Sequence, residues 1–115
     1  MNITIIHTGF RKPSEMVAMV EAPTTDVMES LNYAYAKTQN AFGSWSRKEV
    51  FTTNDGEVIE NEDYCESVSV LKELKADKDG NIYGIRSTSV GDRMILDNGT
   101  EYEVDDIGFK LLETV

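Results

Sequence analysis

Along this chain the hydrophobic positions recur mostly at every second residue, and only one segment changes to helical spacing. Residues 2–7 are rich in β-formers, with Ile3 and Ile5 on one face, which predicts a first strand. A polar connection through Arg11, Lys12 and Pro13 leads to Met16, Ala18 and Val20, whose alternation predicts a second strand ending before Pro23. Val27, Leu31, Ala34 and Thr38 then share one helical face that Met28 and Tyr35 widen. Asp26 with Glu29 three positions on resembles a capping box, Thr25 is an equally good cap, and Gly43 offers the permissive backbone found past a helix end. A helix is therefore expected over residues 25–41.

Beyond it the period returns to two. Residues 50–53 and 57–60 flank Asn54-Asp55-Gly56, a hairpin signal because Asp-Gly accepts the positive φ of tight turns. Residues 66–71, with Val68 and Val70 on one face, and residues 82–85 flank a turn at 77–81 and predict another hairpin. A third joins residues 94–96 to 101–104 through Asp97-Asn98-Gly99, with a closing strand over residues 107–112. The expected fold is α+β in a single domain, residues 1–115: a small antiparallel sheet or a partly open barrel with one main helix packed on it.

Charge changes the picture from fold to function. The chain has 21 acidic and 11 basic residues, a formal net charge of -10, and the whole excess lies after residue 54. Two windows, residues 55–66 and 97–106, hold carboxylates and no base. Direct nucleic-acid binding would press these groups against phosphate, whereas a protein with a basic surface would be attracted. Glu101 and Glu103 alternate with Tyr102 and Val104, which places them with Asp105 on a solvated sheet face, and Asp105 and Asp106 are expected to be exposed. The single cysteine, Cys65, cannot form an internal disulfide, no signal-like start is visible, and no stretch approaches the roughly twenty apolar residues of a membrane span, so a cytoplasmic location without membrane attachment is expected.

Candidate chemistry is sparse. The only histidine, His7, has no adjacent nucleophile partner and reads as a strand-end imidazole, so histidine-dependent catalysis has little support. Asp77, Asp79 and Asn81 alternate like the start of a calcium loop but lack the distal glutamate, and no glycine-rich phosphate loop occurs, so neither a metal nor a cofactor is expected. The most distinctive run is 86–92. Structurally, Val90 would enter the core, Gly91 would take an unusual φ and Asp92 would bind nearby amides; functionally, Arg86 with the three hydroxyls of Ser87, Thr88 and Ser89 would form a polar docking surface for an anion or a partner's carboxylate. Thr38-Gln39-Asn40 followed by Gly43-Ser44-Trp45, just after the helix, form a second cluster of amide donors and one large aromatic, in which Trp45 either plugs the core or, beside Asn40 and Gln39, anchors a partner.

The combination of Thr38-Gln39-Asn40, Gly43-Ser44-Trp45, the run from Arg86 to Asp92, a hairpin with Tyr102, and Ile107-Gly108-Phe109 resembles a group of small, mostly uncharacterised bacteriophage proteins over residues 33–110. Residues 86–110 are also similar to the YodL-like segment of phage and conjugative-element proteins. The resemblance implies a mobile-element origin and no established reaction. Two classes of function follow: an accessory protein that binds a host protein for takeover or counter-defence, in its sharpest form an acidic mimic of DNA, or a pocket near Arg86 that captures a nucleotide-like ligand. A homodimer formed by sheet edges is a further expectation.

Overall fold

A computed structural model describes residues 1–9, 12–41, 44–47, 50–61, 63–74, 76–80 and 82–113. The main sheet is built from β1 (Asn2–Gly9), β2 (Lys12–Glu21), β5 (Val68–Val70), β6 (Arg93–Leu96), β7 (Glu101–Val104) and β8 (Phe109–Glu113), and β3 (Val50–Thr52) pairs with β4 (Val58–Glu60) in a separate two-stranded sheet. The order in the main sheet is β5-β2-β1-β6-β7-β8, with every pairing antiparallel. The edges β5 and β8 have four strands between them, so the sheet is open and the barrel alternative is corrected.

One face of the sheet makes the core. Ile3 and Ile5 of β1, Val20 of β2, Met94 and Leu96 of β6, and Val104 of β7 are buried there with Leu31 and Ala34 of the helix α1 (Val27–Lys37). The expected alternation of β2 is only half right. Ile5 pairs with Ala18 and Ile6 with Met16, so Val17 is an extra residue in a bulge. Past the bulge the parity inverts: Val17 is buried and Met16 is 63% exposed. On the opposite face the register aligns Thr4, Ile6, Met16, Met19, Arg93, Ile95, Glu101, Glu103 and Lys110.

Asp26 is the N-cap of α1, its side chain accepting the Glu29 N–H at 2.9 Å, while the Thr24 hydroxyl donates to the Glu29 carboxylate at 3.1 Å. The helix stops at Lys37, four residues before the expected end. Thr38 has φ -114° and ψ 35°, and Gln39 and Asn40 are drawn away by hydrogen bonds to the segment 85–88. The expected cap Gly43 lies outside the described residues. Residues 82–85 do not form the expected strand: one bridge, Ala76 to Ile82, closes the turn, and β5 pairs with β2 instead. No helix among the described residues is long and apolar enough to cross a membrane.

Candidate functional site

Residues 38–40, 44–46 and 85–92 are hydrogen-bonded into one node. The Thr88 N–H donates to the Thr38 carbonyl at 3.0 Å, and the Gln39 amide donates to the Thr88 carbonyl at 2.8 Å. Asn40 is the hub: its backbone N–H reaches the Ser87 hydroxyl at 2.8 Å, its amide N–H reaches the Ile85 carbonyl at 3.0 Å, and its Oδ1 accepts the Trp45 N–H at 2.9 Å. The Trp45 indole is fully buried and donates to the Arg86 carbonyl at 2.9 Å. Trp45 is thus a core residue, and its role as a surface anchor is corrected. Gly84 packs closely here: a Cβ built on it would collide with the Ser44 side chain and stand 2.9 Å from Ser46 Oγ, so Ser44 and Ser46 would have to shift. The residues that carry the sequence resemblance are therefore largely the residues that build this node.

Beneath it lies a charged group with every partner supplied by the protein. Asp92 is 1% exposed, and its carboxylate accepts Thr8 N–H at 2.9 Å, Ser89 N–H at 2.8 Å and both terminal nitrogens of Arg86 at 2.6 and 2.7 Å. Burial pushes the Asp92 carboxyl up, but the Arg86 guanidinium, the two amides and His7 outweigh it and hold it below its ordinary value. The hydrogen bonds to Asp92 in turn raise the pKa of Arg86. The Arg86 terminal nitrogens also donate to the Thr8 carbonyl at 2.7 Å, the Ser87 carbonyl at 3.0 Å and the Ser89 hydroxyl at 3.1 Å. Among the described residues the four terminal N–H groups of Arg86 are all engaged, so the guanidinium has no two-pronged face to offer an anion. His7 Nε2 lies 2.9 Å from the Thr88 hydroxyl and 3.8 Å from Asp92, and the ring meets Trp45 edge-on at 6.2 Å. Burial lowers its pKa to about 4 against the opposing pull of Asp92, so the imidazole is neutral at pH 7.

This network floors a cleft of about 470 Å³ between the end of the β1–β2 hairpin and residues 72–74 and 83–86. His7, Thr8, Val17 and Ile85 line it, with Tyr83 exposed at its mouth. The cations at the cleft are already matched: Lys72 bonds Glu15 at 2.8 Å and Arg86 bonds Asp92. A concavity with a hydroxyl, a ring and Arg86 exists, but the described lining has no unpaired positive charge.

The acidic positions are dealt with unevenly. Glu101 receives Arg93 at 3.3 Å, and Glu103 sits in register between Arg93 and Lys110, so the expected acidic sheet face is interleaved with bases. Asp97 accepts the Asn2 N–H at 3.3 Å, Asp63 accepts the Ala41 N–H at 2.9 Å, and Asp55 is held below its usual value chiefly by the Thr53 hydroxyl. Asp105 and Asp106 differ: both are exposed at the β7–β8 turn, and neither makes an ion pair among the described residues. Ile107 beside them is 93% exposed, and Val90, expected in the core, is 59% exposed. Gln39, a member of the cluster expected after the helix, belongs to the node, whereas His7, Thr8 and Gly84 belong to the node or the cleft without having been expected there.

Comparison with protein-family models, curated proteins and solved structures finds no match for this chain.

Proposed function

We propose that this chain is an accessory protein of a bacteriophage or related mobile element that acts by binding a host protein with a basic surface, and that the β7–β8 turn is its point of contact. One observation carries the reading: Asp105 and Asp106 have no cationic partner among the described residues and directly precede Ile107, a fully displayed aliphatic side chain. A carboxylate pair beside exposed apolar surface suits steering followed by burial, because the charges speed encounter and the apolar group supplies affinity. The net charge of -10 extends the attraction beyond contact range at low salt. Residues 86–110, which carry the resemblance to mobile-element proteins, include this turn.

The sharper form, mimicry of a nucleic-acid backbone, draws less support. Residue 66 lies just before one edge strand and residues 105 and 106 just before the other; every pairing between them is antiparallel, so these starts lie at opposite ends of the sheet as well as five strand spacings, about 24 Å, across it. The test is affinity capture from host lysate at low and then high salt. The expected result is a host protein that is released as salt rises and is not retained by the double variant Asp105→Lys/Asp106→Lys, whose thermal stability should stay within about 0.5 kcal/mol of the parent. Retention undiminished by either change would contradict the reading.

The cleft supports a second reading, sequestration of a small ligand, since its volume lies within the range of ligand sites, roughly 300–1,000 Å³. With both cations paired, a neutral, partly apolar ligand suits it better than a nucleotide-like anion. Recovery of such a molecule from the purified protein, with no host protein captured, would favour it.

A further inference from the structure

A second, smaller pocket of about 190 Å³ opens between α1 and the β7–β8 turn. Its walls are unlike those of the cleft. Asn32 and Tyr35, three residues apart, contribute from one side of α1, and Phe109 at the start of β8 meets Tyr35 edge to face, the ring centroids 6.3 Å apart and the planes at 76°. Asp105 and Asp106 also line it; the Asp105 N–H donates to the Gly108 carbonyl at 3.0 Å and closes the turn, and the Asp105 carboxylate accepts the Asp106 N–H at 2.8 Å. Among the described residues, no lysine, arginine or histidine is part of the lining. Two aromatic rings, two carboxylates and one amide together are the chemistry that receives an organic cation: ring quadrupoles attract positive charge and carboxylates accept its hydrogen bonds. A hard metal ion would want several converging oxygens, and no group of three or more acidic, histidine or cysteine ligands exists among the described residues. The space is too small for a drug-sized ligand but holds one side chain.

We propose that this pocket receives a single arginine or lysine side chain projecting from the bound protein partner. The inference rests on the reading that the β7–β8 turn contacts a basic protein, and it names the anchor of that contact. Asp105 and Asp106 fix the charged head, Tyr35 and Phe109 cover it, and the exposed Val90 and Ile107 receive apolar surface around it.

The experiment is a titration followed by amide NMR shifts, with N-acetyl-arginine methylamide and N-acetyl-lysine methylamide as probes and N-acetyl-norleucine methylamide as the uncharged control. At least one cationic probe should give saturable shifts at Asp106 and Gly108 that norleucine does not. Asp105→Asn/Asp106→Asn should abolish saturation. Tyr35→Leu should weaken it about three- to fivefold, whereas Tyr35→Phe retains it. Equal shifts with norleucine, no saturable shift with either cation, or shifts unchanged in the double asparagine variant would each overturn the assignment. If the pocket fails in this way while Asp105→Lys/Asp106→Lys still abolishes capture of the host protein, the error lies in the anchor and not in the contact surface.

Discussion

At the scale of single residues, the fold depends on a few buried polar groups whose protonation ties stability to pH. Folded His7 takes up a proton only near pH 4, whereas an unfolded imidazole does so near 6.5. Between those values the unfolded chain binds more protons, so stability falls as pH drops through the window, by up to about 3 kcal/mol. Glu15, Lys72, Asp92 and Arg86 set the surrounding charge. Asp92 acts lower on the scale: its depressed carboxyl contributes stability that is present above the ordinary carboxylate value, about 3.9, and is lost as pH falls through the folded one. Thermal unfolding between pH 7 and 4 should therefore show a shallower loss of Tm in His7→Gln than in the parent, and identical slopes would refute the buried, neutral imidazole. Asp92→Asn leaves the Arg86 guanidinium without its carboxylate beside a buried amide. Because Arg86 is half in water, the expected cost is about 2–4 kcal/mol in urea unfolding, at the lower end of what breaking a buried pair costs.

At the scale of elements, the turn before β6 makes the test. Gly91 has φ +95°, and its N–H donates to the Val104 carbonyl at 2.8 Å, linking the 86–92 run to β7. The site is open, with only the Thr8 hydroxyl near a built Cβ, so the penalty for a side chain is backbone strain and not collision. Gly91→Val should lower stability by about 2 kcal/mol or more in thermal unfolding, and a silent substitution would refute the turn geometry. The positive φ of this turn was legible as a glycine between two polar runs, and the hairpins at Gly56 and Gly99 were legible because glycine after Asp or Asn marks positive φ and the flanking residues alternate. Three features were not. The β2 bulge inverts a parity that the Met16, Ala18, Val20 pattern alone cannot reveal. Residues 82–85 have strand-like composition, but Ile85 pairs its N–H with Ser46 and its carbonyl with Asn40, and the Ile82 carbonyl accepts Arg47, instead of joining a ladder. The helix ends early because Gln39 and Asn40 have long-range partners, which helical spacing does not encode. The polar residues of the candidate site were found as residue types; their partners, which turn Trp45 and Arg86 from surface groups into parts of a node, come from tertiary structure.

At the scale of the whole molecule, the account turns on where negative charge is left without a partner. Interleaved bases occupy the sheet face of Glu101 and Glu103, whereas the β7–β8 turn keeps its two carboxylates free of ion pairs among the described residues, beside apolar side chains. Position, and not the total of -10, is the proposed determinant. The direct test compares two charge reversals of equal size in their affinity for the captured host protein at fixed ionic strength: Asp105→Lys/Asp106→Lys at the turn, and Glu57→Lys/Glu60→Lys in the exposed β3–β4 hairpin. The expected loss is about tenfold or more for the first and less than about twofold for the second. Equal losses would mean that only net charge matters, and would contradict it.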